Sequence, residues 1–368
     1  MDPRVSCLQT FLAPLGPRKD VFYLVKMGTD RCHVASLIRR LDPQTRTRGE
    51  SFPMKLIILS LVTALITGTA CQAPSEEGRT GAASSTPSQQ SAASASPPAT
   101  SPSPSSTASE APPGPHSRLP AAPARLARDL RTTTQRLYRE IDAWRATGLS
   151  SGSRRAVVEL LALHHQRLHR KLVGAPRLAR SVLEQLSVAA ARAAQRNIVA
   201  GRGLRSLVTP VAGPVKLPTR RPETPDRLLS YYRLAQRRYD IPWQILAAVN
   251  LVESRFGRLT GPSVAGALGP MQFLPSTWDA YGRGGNVMDP HDAILGAANY
   301  LAASGAPERM RAALFAYNRS DAYVDAIRLY AREITREPRN LYVYYFWQVF
   351  VITTKGDLQL TGPGAKAR

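Results

Sequence analysis

The sequence predicts a mainly α protein: a long polar lead-in, a basic helical segment and a compact helical domain. Three observations carry this. In Ile241–Gln272, IPWQILAAVNLVESRFGRLTGPSVAGALGPMQ, the apolar residues Ile245, Ala248, Val249 and Val252 recur at helical spacing before a Gly-rich loop. Residues 116–212 alternate apolar-striped runs with Gly and Pro breaks. Residues 72–115 are mostly Ser, Ala, Pro, Thr and Gly, too poor in apolar surface to offset chain entropy.

Residues 1–53 carry neither periodicity nor motif. Met54-Lys55 then opens a secretory pattern, with an apolar run from Leu56 to Ile66 and small residues ending at Cys71. Small residues before a cysteine resemble a bacterial lipoprotein box, with Gly68 where leucine is commonest. In this reading 54–71 is a signal peptide, Cys71 is the lipidation site, and the mature protein faces the cell wall from the membrane surface. Such a signal belongs at the start of a chain. Translation is therefore expected to begin at Met54, with 1–53 a non-native or disordered extension. Cys7 and Cys32 lie upstream, so the mature part has no cysteine pair for a disulfide. Residues 72–115 read as a disordered linker that lets an anchored domain reach outward.

The chain has a net charge of +23, most of it in residues 116–224, with 21 Lys and Arg against 6 Asp and Glu. Nucleic acid, anionic lipid and anionic wall polymers all fit such a charge; the export pattern excludes nucleic acid. Within 116–212 one helix is expected from about Ala124 to Thr147, a second from Ser153 to Gly174, and a third from Pro176 to Ala200, stopping at Gly201. Val157, Leu160, Leu161, Leu168 and Leu172 form the second helix's apolar stripe. The arginines read either as solvated faces or as a patch for carboxylates or anionic wall polymers. His165 and His169 stand at i, i+4, but Gln166 occupies the place of the metalloprotease glutamate; solvated histidines are expected.

Residues 213–224 read as a Pro-rich linker, and 225–356 as the functional domain. Its first helix, Asp226 to Tyr239, turns Tyr231, Leu234 and Ala235 inward. The next starts with Pro242 at its first position, and Asp240 favours the positive end of its dipole. Glu253 continues the Ile245–Val252 stripe near the helix end. Burial and the negative end of the dipole both disfavour its charged form, as a general acid requires.

Three motifs stand in order: Glu253-Ser254, then GALGPMQFLPSTWDAYG, then Phe315-Ala316-Tyr317-Asn318. Together they resemble the lysozyme-like lytic transglycosylases, which cut peptidoglycan glycan strands; the middle run is similar to actinobacterial and family-B members. The resemblance covers roughly 221–356. It implies that Glu253 is the single catalytic acid/base. Ser254, Met271, Gln272, Tyr317 and Asn318 would form the substrate site, with Ser254 steadying the helix end and the Tyr317 hydroxyl near the Glu253 carboxyl. It further implies cleavage of the β-1,4 bond after N-acetylmuramic acid with formation of a 1,6-anhydro end, and no cofactor. Two rivals stay open, a lysozyme-type muramidase and a non-catalytic wall-binding lipoprotein.

Trp243, Trp278, Tyr281 and Tyr300 read as core aromatics or sugar platforms. Asp279 and Asp292 read as structural. Relatives often carry an acidic loop where this chain has Arg283-Gly284-Gly285-Asn286-Val287-Met288-Asp289-Pro290, with too few carboxylates for calcium, so no metal is expected. A helix opening at Asp289–Asp292 buries Ala293, Ile294, Ala297, Ala298 and Leu301. Further helices are expected at Met310–Phe315 and Tyr323–Ile334. The stretch LYVYYFWQVFVITTKGD fits a strand pair or a buried helix; the resemblance favours helix. Residues 357–368 read as a disordered tail.

Overall fold

A computed structural model describes residues 111–147 and 152–365. The readings of 1–53, of the signal with Cys71, and of linker residues 72–110 lie outside the described residues. Among the described residues no helix is long and apolar enough to cross a membrane.

The basic segment forms α1 (Pro123–Ala146), α2 (Gly152–Gly174), α3 (Pro176–Leu183) and α4 (Val188–Ser206). Pro123 and Pro176 open α1 and α3, where a missing N–H costs nothing. The expected third helix is two helices, broken at 184–187, and it runs through Gly201 instead of stopping there. Gly201 is a packing residue: a Cβ at that position would lie 2.7 Å from the Val173 side chain of α2. The histidines of α2 are buried, not solvated. His164 Nε2 pairs with Asp129 at 3.0 Å, and the His165 and His169 rings lie 4.4 Å apart, each 6.0 Å from Trp347. Val157 and Leu160 are half-buried, so the buried stripe is carried by Val158, Leu161, Leu168 and Leu172.

The second half begins with α5 (Pro225–Tyr239) and α6 (Trp243–Ser254). In α5 the buried residues are Pro225, Leu228, Tyr232 and Ala235; Ala235 is inward as expected, while Tyr231 and Leu234 are half-buried. Asp240 does not serve α6. It closes α5 in a left-handed conformation, φ 55°, its N–H bonded to the Gln236 carbonyl. Pro242 is the residue before α6, not its first. Helix α6 is buried from Ile245 through Val252 on every face, as a helix inside a core must be.

Then follow α7 (Pro275–Tyr281), α8 (Pro290–Ala303), α9 (Met310–Tyr317), α10 (Asp321–Arg336) and α11 (Asn340–Tyr345). Ala293, Ile294, Ala297, Ala298 and Leu301 of α8 are all buried, as their spacing predicts. The aromatic tail divides. Its first part is α11, and its second is an antiparallel hairpin of β1 (Phe350–Thr353) and β2 (Gly356–Gln359). The expected disordered tail is therefore ordered to residue 365. Residues 357–359 belong to β2, Gly362 packs on Gln348, and Gly364 lies against Pro115 and His116.

The basic segment shares one hydrophobic core with the second half. Leu137, Ile141 and Trp144 of α1, Val158 and Leu161 of α2 and Ala200 of α4 join the core of α5, α6 and α8–α11. Trp144 meets the rings of Tyr342 and Phe346 edge-on, at 6.3 and 5.2 Å. The Gln166 side chain acts as a backbone partner: its amide donates to the Gln348 carbonyl at 2.9 Å and its oxygen accepts from the Gln348 N–H at 2.7 Å. A smaller core of Leu126, Leu130, Leu168, Leu172, Val182 and Ile198 holds the far end of α1–α4 together.

Candidate active site

Glu253 lies in the last turn of α6, half-buried. Its Oε1 accepts a hydrogen bond from the Tyr323 hydroxyl at 2.6 Å. Burial pushes the carboxyl up to about 7, and the Tyr323 bond, which favours the carboxylate, opposes that rise. No second carboxylate among the described residues contributes to the shift. The group thus keeps its proton well above the usual carboxylate range, with a phenol donor fixing one oxygen.

The helix ends abruptly beyond it. Arg255, Phe256 and Gly257 all take left-handed backbone, φ 54°, 61° and 81°. For the two non-glycine residues, Arg255 and Phe256, this costs of order 1 kcal/mol or more each unless the surroundings hold them. Here the buried Phe256 ring packs on Tyr345, and the Phe256 N–H bonds the Asn250 carbonyl at 3.1 Å. Ser254 completes the clamp. Its hydroxyl donates to the Pro270 carbonyl at 2.6 Å and accepts from the Gly257 N–H at 2.8 Å. At 1% exposure Ser254 does not face a substrate; it ties the helix end to the loop of the second motif. The steadying role fits its contacts, and the grouping with substrate-binding side chains does not.

Met271 differs from expectation in the same way. Its side chain is fully buried, and what it offers the site is its backbone: the carbonyl accepts from the Tyr317 hydroxyl at 2.6 Å. Tyr317 was expected to direct that hydroxyl towards Glu253. The two lie close enough for the carboxylate to disfavour ionisation of the phenol, yet the direct bond to Glu253 comes from Tyr323. Tyr323 is six residues beyond Tyr317, at the start of α10, where Ser320 caps the helix by accepting the Tyr323 N–H. Only its inward place on an amphipathic helix marked it in sequence, and that reads as core.

Gln272 is half-buried in left-handed backbone, φ 52°, and its amide donates to the Gly269 carbonyl at 3.0 Å. This leaves its side-chain oxygen free to accept. Asn318 is half-buried, and its Oδ1 is buried with no hydrogen-bond partner. A buried acceptor left without a donor is costly. Behind these groups runs a row of rings. Tyr281 and Tyr300 are 4.8 Å apart, Tyr300 and Tyr317 5.6 Å, Tyr317 and Phe273 5.9 Å, and Phe273 and Trp278 5.2 Å. All but the buried Phe273 keep an exposed edge. Trp243 is also half-buried, packed on the core at the far end of α6 from Glu253.

The loop after α7 closes on itself. Asp289 caps α8, accepting from the N–H groups of His291 and Asp292, and Asp292 accepts the Asn286 N–H at 2.9 Å. Asp289, His291 and Asp292 bring one metal-ligand atom each within 4.8 Å of one another. Both carboxylates already serve as helix and loop caps.

The family model described as the transglycosylase SLT domain matches residues 230–335, a span that contains Glu253, Gln272, Tyr317, Asn318 and Tyr323. Over that span the chain is similar to the SLT domain. A relative from Thiobacillus denitrificans, described as membrane-bound lytic murein transglycosylase F, is 30% identical over 129 residues, which cover 33% of this chain and 27% of the relative. The chain thus spans about a quarter of that relative's length. Both findings support the lytic transglycosylase resemblance carried by the three motifs. The SLT match ends within α10, short of α11 and the hairpin, and starts after the basic segment that completes its core.

Proposed function

We propose that this protein is a peptidoglycan lytic transglycosylase with Glu253 as its single acid/base. The observation that carries the reading is a carboxyl whose proton affinity is raised by burial and whose Oε1 is fixed by Tyr323, with no second carboxylate among the described residues contributing to that rise. Hydrolytic glycosidases generally use two such groups. In the proposed reaction the Glu253 proton passes to the bridging oxygen as the bond from C1 of N-acetylmuramic acid breaks. The substrate's acetamido group stabilises the cation-like C1. The carboxylate then takes the proton of the C6 hydroxyl as that oxygen bonds C1. The product is a 1,6-anhydro end, water is not consumed, and Glu253 regains its proton. Gln272 and Asn318 would hold polar groups of the glycan, and the exposed ring edges its sugar faces.

The finer reading adds a place and a task. A lipidated Cys71 anchors the protein on the outer face of the membrane, the 72–115 stretch lets it reach the wall, and the basic helices contact anionic wall polymers during wall remodelling. The test is a digest of purified peptidoglycan by the full chain, read by mass spectrometry, with Glu253→Gln alongside. Anhydro ends made by the native protein and reduced at least ~100-fold in the variant support the reading. Reducing ends would make it a muramidase. Absence of any product from both proteins would favour a wall-binding role.

A further inference from the structure

A second cavity, of about 130 Å³, lies between the basic segment and the SLT domain and contains neither Glu253 nor Gln272. Its walls are largely apolar, with Leu204, Val173, Val252, Leu259 and Phe350, and Gln166, His169, Asn197 and Tyr330 also reach it. Three guanidinium groups, of Arg170, Arg205 and Arg255, also line it. Asp357 answers two of them, meeting Arg170 at 2.7 Å and Arg205 at 3.0 Å. Arg255 is different. It is half-buried, donates to the Leu251 carbonyl at 2.8 Å, and has no carboxylate partner among the described residues. Burial pushes its guanidinium down from its ordinary value, and the Arg170 charge adds to that. A guanidinium cannot shed its proton to escape such a site, so its charge calls for an anion.

The geometry points to a binding site for a small organic anion, a carboxylate on an apolar body of about five carbons, with the carboxylate on Arg255 and the body among Leu204, Val252 and Phe350. Size sets the body. A dry apolar cavity of about 150 Å³ accommodates a benzene ring, and this one is slightly smaller. Charge sets the head, since three cations face one anion around the cavity. Geometry sets the chemistry of the head, because a planar guanidinium fork matches a carboxylate. The way in is at the rim, where the Arg205 and Asp357 side chains are 39% and 27% exposed. The site goes beyond the proposed glycan chemistry and does not depend on it.

The test is titration calorimetry of the full chain with sodium acetate, butyrate and hexanoate at constant ionic strength, with hexanol and inorganic phosphate as controls. Each added methylene should tighten binding roughly fourfold, so hexanoate should bind about fifteenfold tighter than butyrate. Hexanol, which lacks the charge, and phosphate, which lacks the body, should each bind at least ~10-fold more weakly than hexanoate. Arg255→Gln should abolish hexanoate binding. Should that variant not fold, Leu204→Trp, which fills the cavity from the half-exposed side of α4, replaces it and should also abolish binding. Absence of hexanoate binding, equal binding of phosphate or hexanol, or undiminished binding by folded Leu204→Trp would each overturn the assignment.

Discussion

Glu253 gives the protein a pH dependence of known sign. Its carboxyl titrates at 4.5 in an open chain and at about 7 in the fold. Below 4.5 it is neutral in both states and the stability is full. As the pH rises towards about 7 the unfolded chain gains the charge more readily, and stability is lost. Glu253→Gln is therefore expected to leave the melting temperature unchanged at pH 4 and to raise stability at pH 8 by up to roughly 3 kcal/mol, measured by thermal melts across pH. Tyr323→Phe removes the donor that favours the carboxylate. The carboxyl should rise further, moving the alkaline limb of the activity–pH profile up by about one to two units; an unmoved limb would remove Tyr323 from the site. The glutamate was legible in sequence because a charged residue interrupts an apolar stripe beside a recognisable motif. Tyr323 was not, because a tyrosine on the inward face of a helix has the same pattern whether its hydroxyl meets a carboxylate or merely fills space.

Among the elements, the loop between α6 and α7 is built on close backbone approach. Gly269 takes φ 73°, and a Cβ there would sit 1.9 Å from the Val287 carbonyl oxygen. Gly269→Ala should cost on the order of 3 kcal/mol and displace Gln272, which is bonded to the Gly269 carbonyl; a denaturant melt and a digest together measure both effects. The cap of α8 makes a second prediction. Because Asp289 and Asp292 accept backbone N–H groups, chelator treatment should leave activity and melting temperature unchanged. Helix positions were legible from Pro and Gly punctuation, and their ends less so. Gly201 looked like a stop and is a contact point with Val173; the α3–α4 break has no Gly or Pro to announce it. The tail was ambiguous between helix and hairpin and contains both, because aromatic and β-branched residues suit any buried element.

At the scale of the molecule, the boundary placed at 213–224 by composition does not divide the core. The Gln166 side chain pairs with the backbone N–H and carbonyl of Gln348 across that boundary. Gln166→Leu would leave two buried backbone groups unpaired and should cost roughly 2–5 kcal/mol, read from denaturant unfolding as one transition, without a separate melt for the basic segment. The Tyr138 hydroxyl on Asn340 at 2.9 Å and the Arg339–Asp142 pair tie the same halves together. Pairings between residues about 200 positions apart leave no local pattern, so sequence reads as a string of modules what the fold makes a single unit.

The Gln166–Gln348 pairing also sets a schedule. The two residues are 182 positions apart, and a ribosome adds about 5–20 residues per second. Helices α1 and α2 therefore exist for roughly 10 to 40 s before that partner is made. During that interval Trp144 lacks the rings of Tyr342 and Phe346, and His165 and His169 lack that of Trp347. Until residues 342–348 are synthesised, the N-terminal helices keep that apolar surface open, the kind of exposure that favours aggregation of nascent chains.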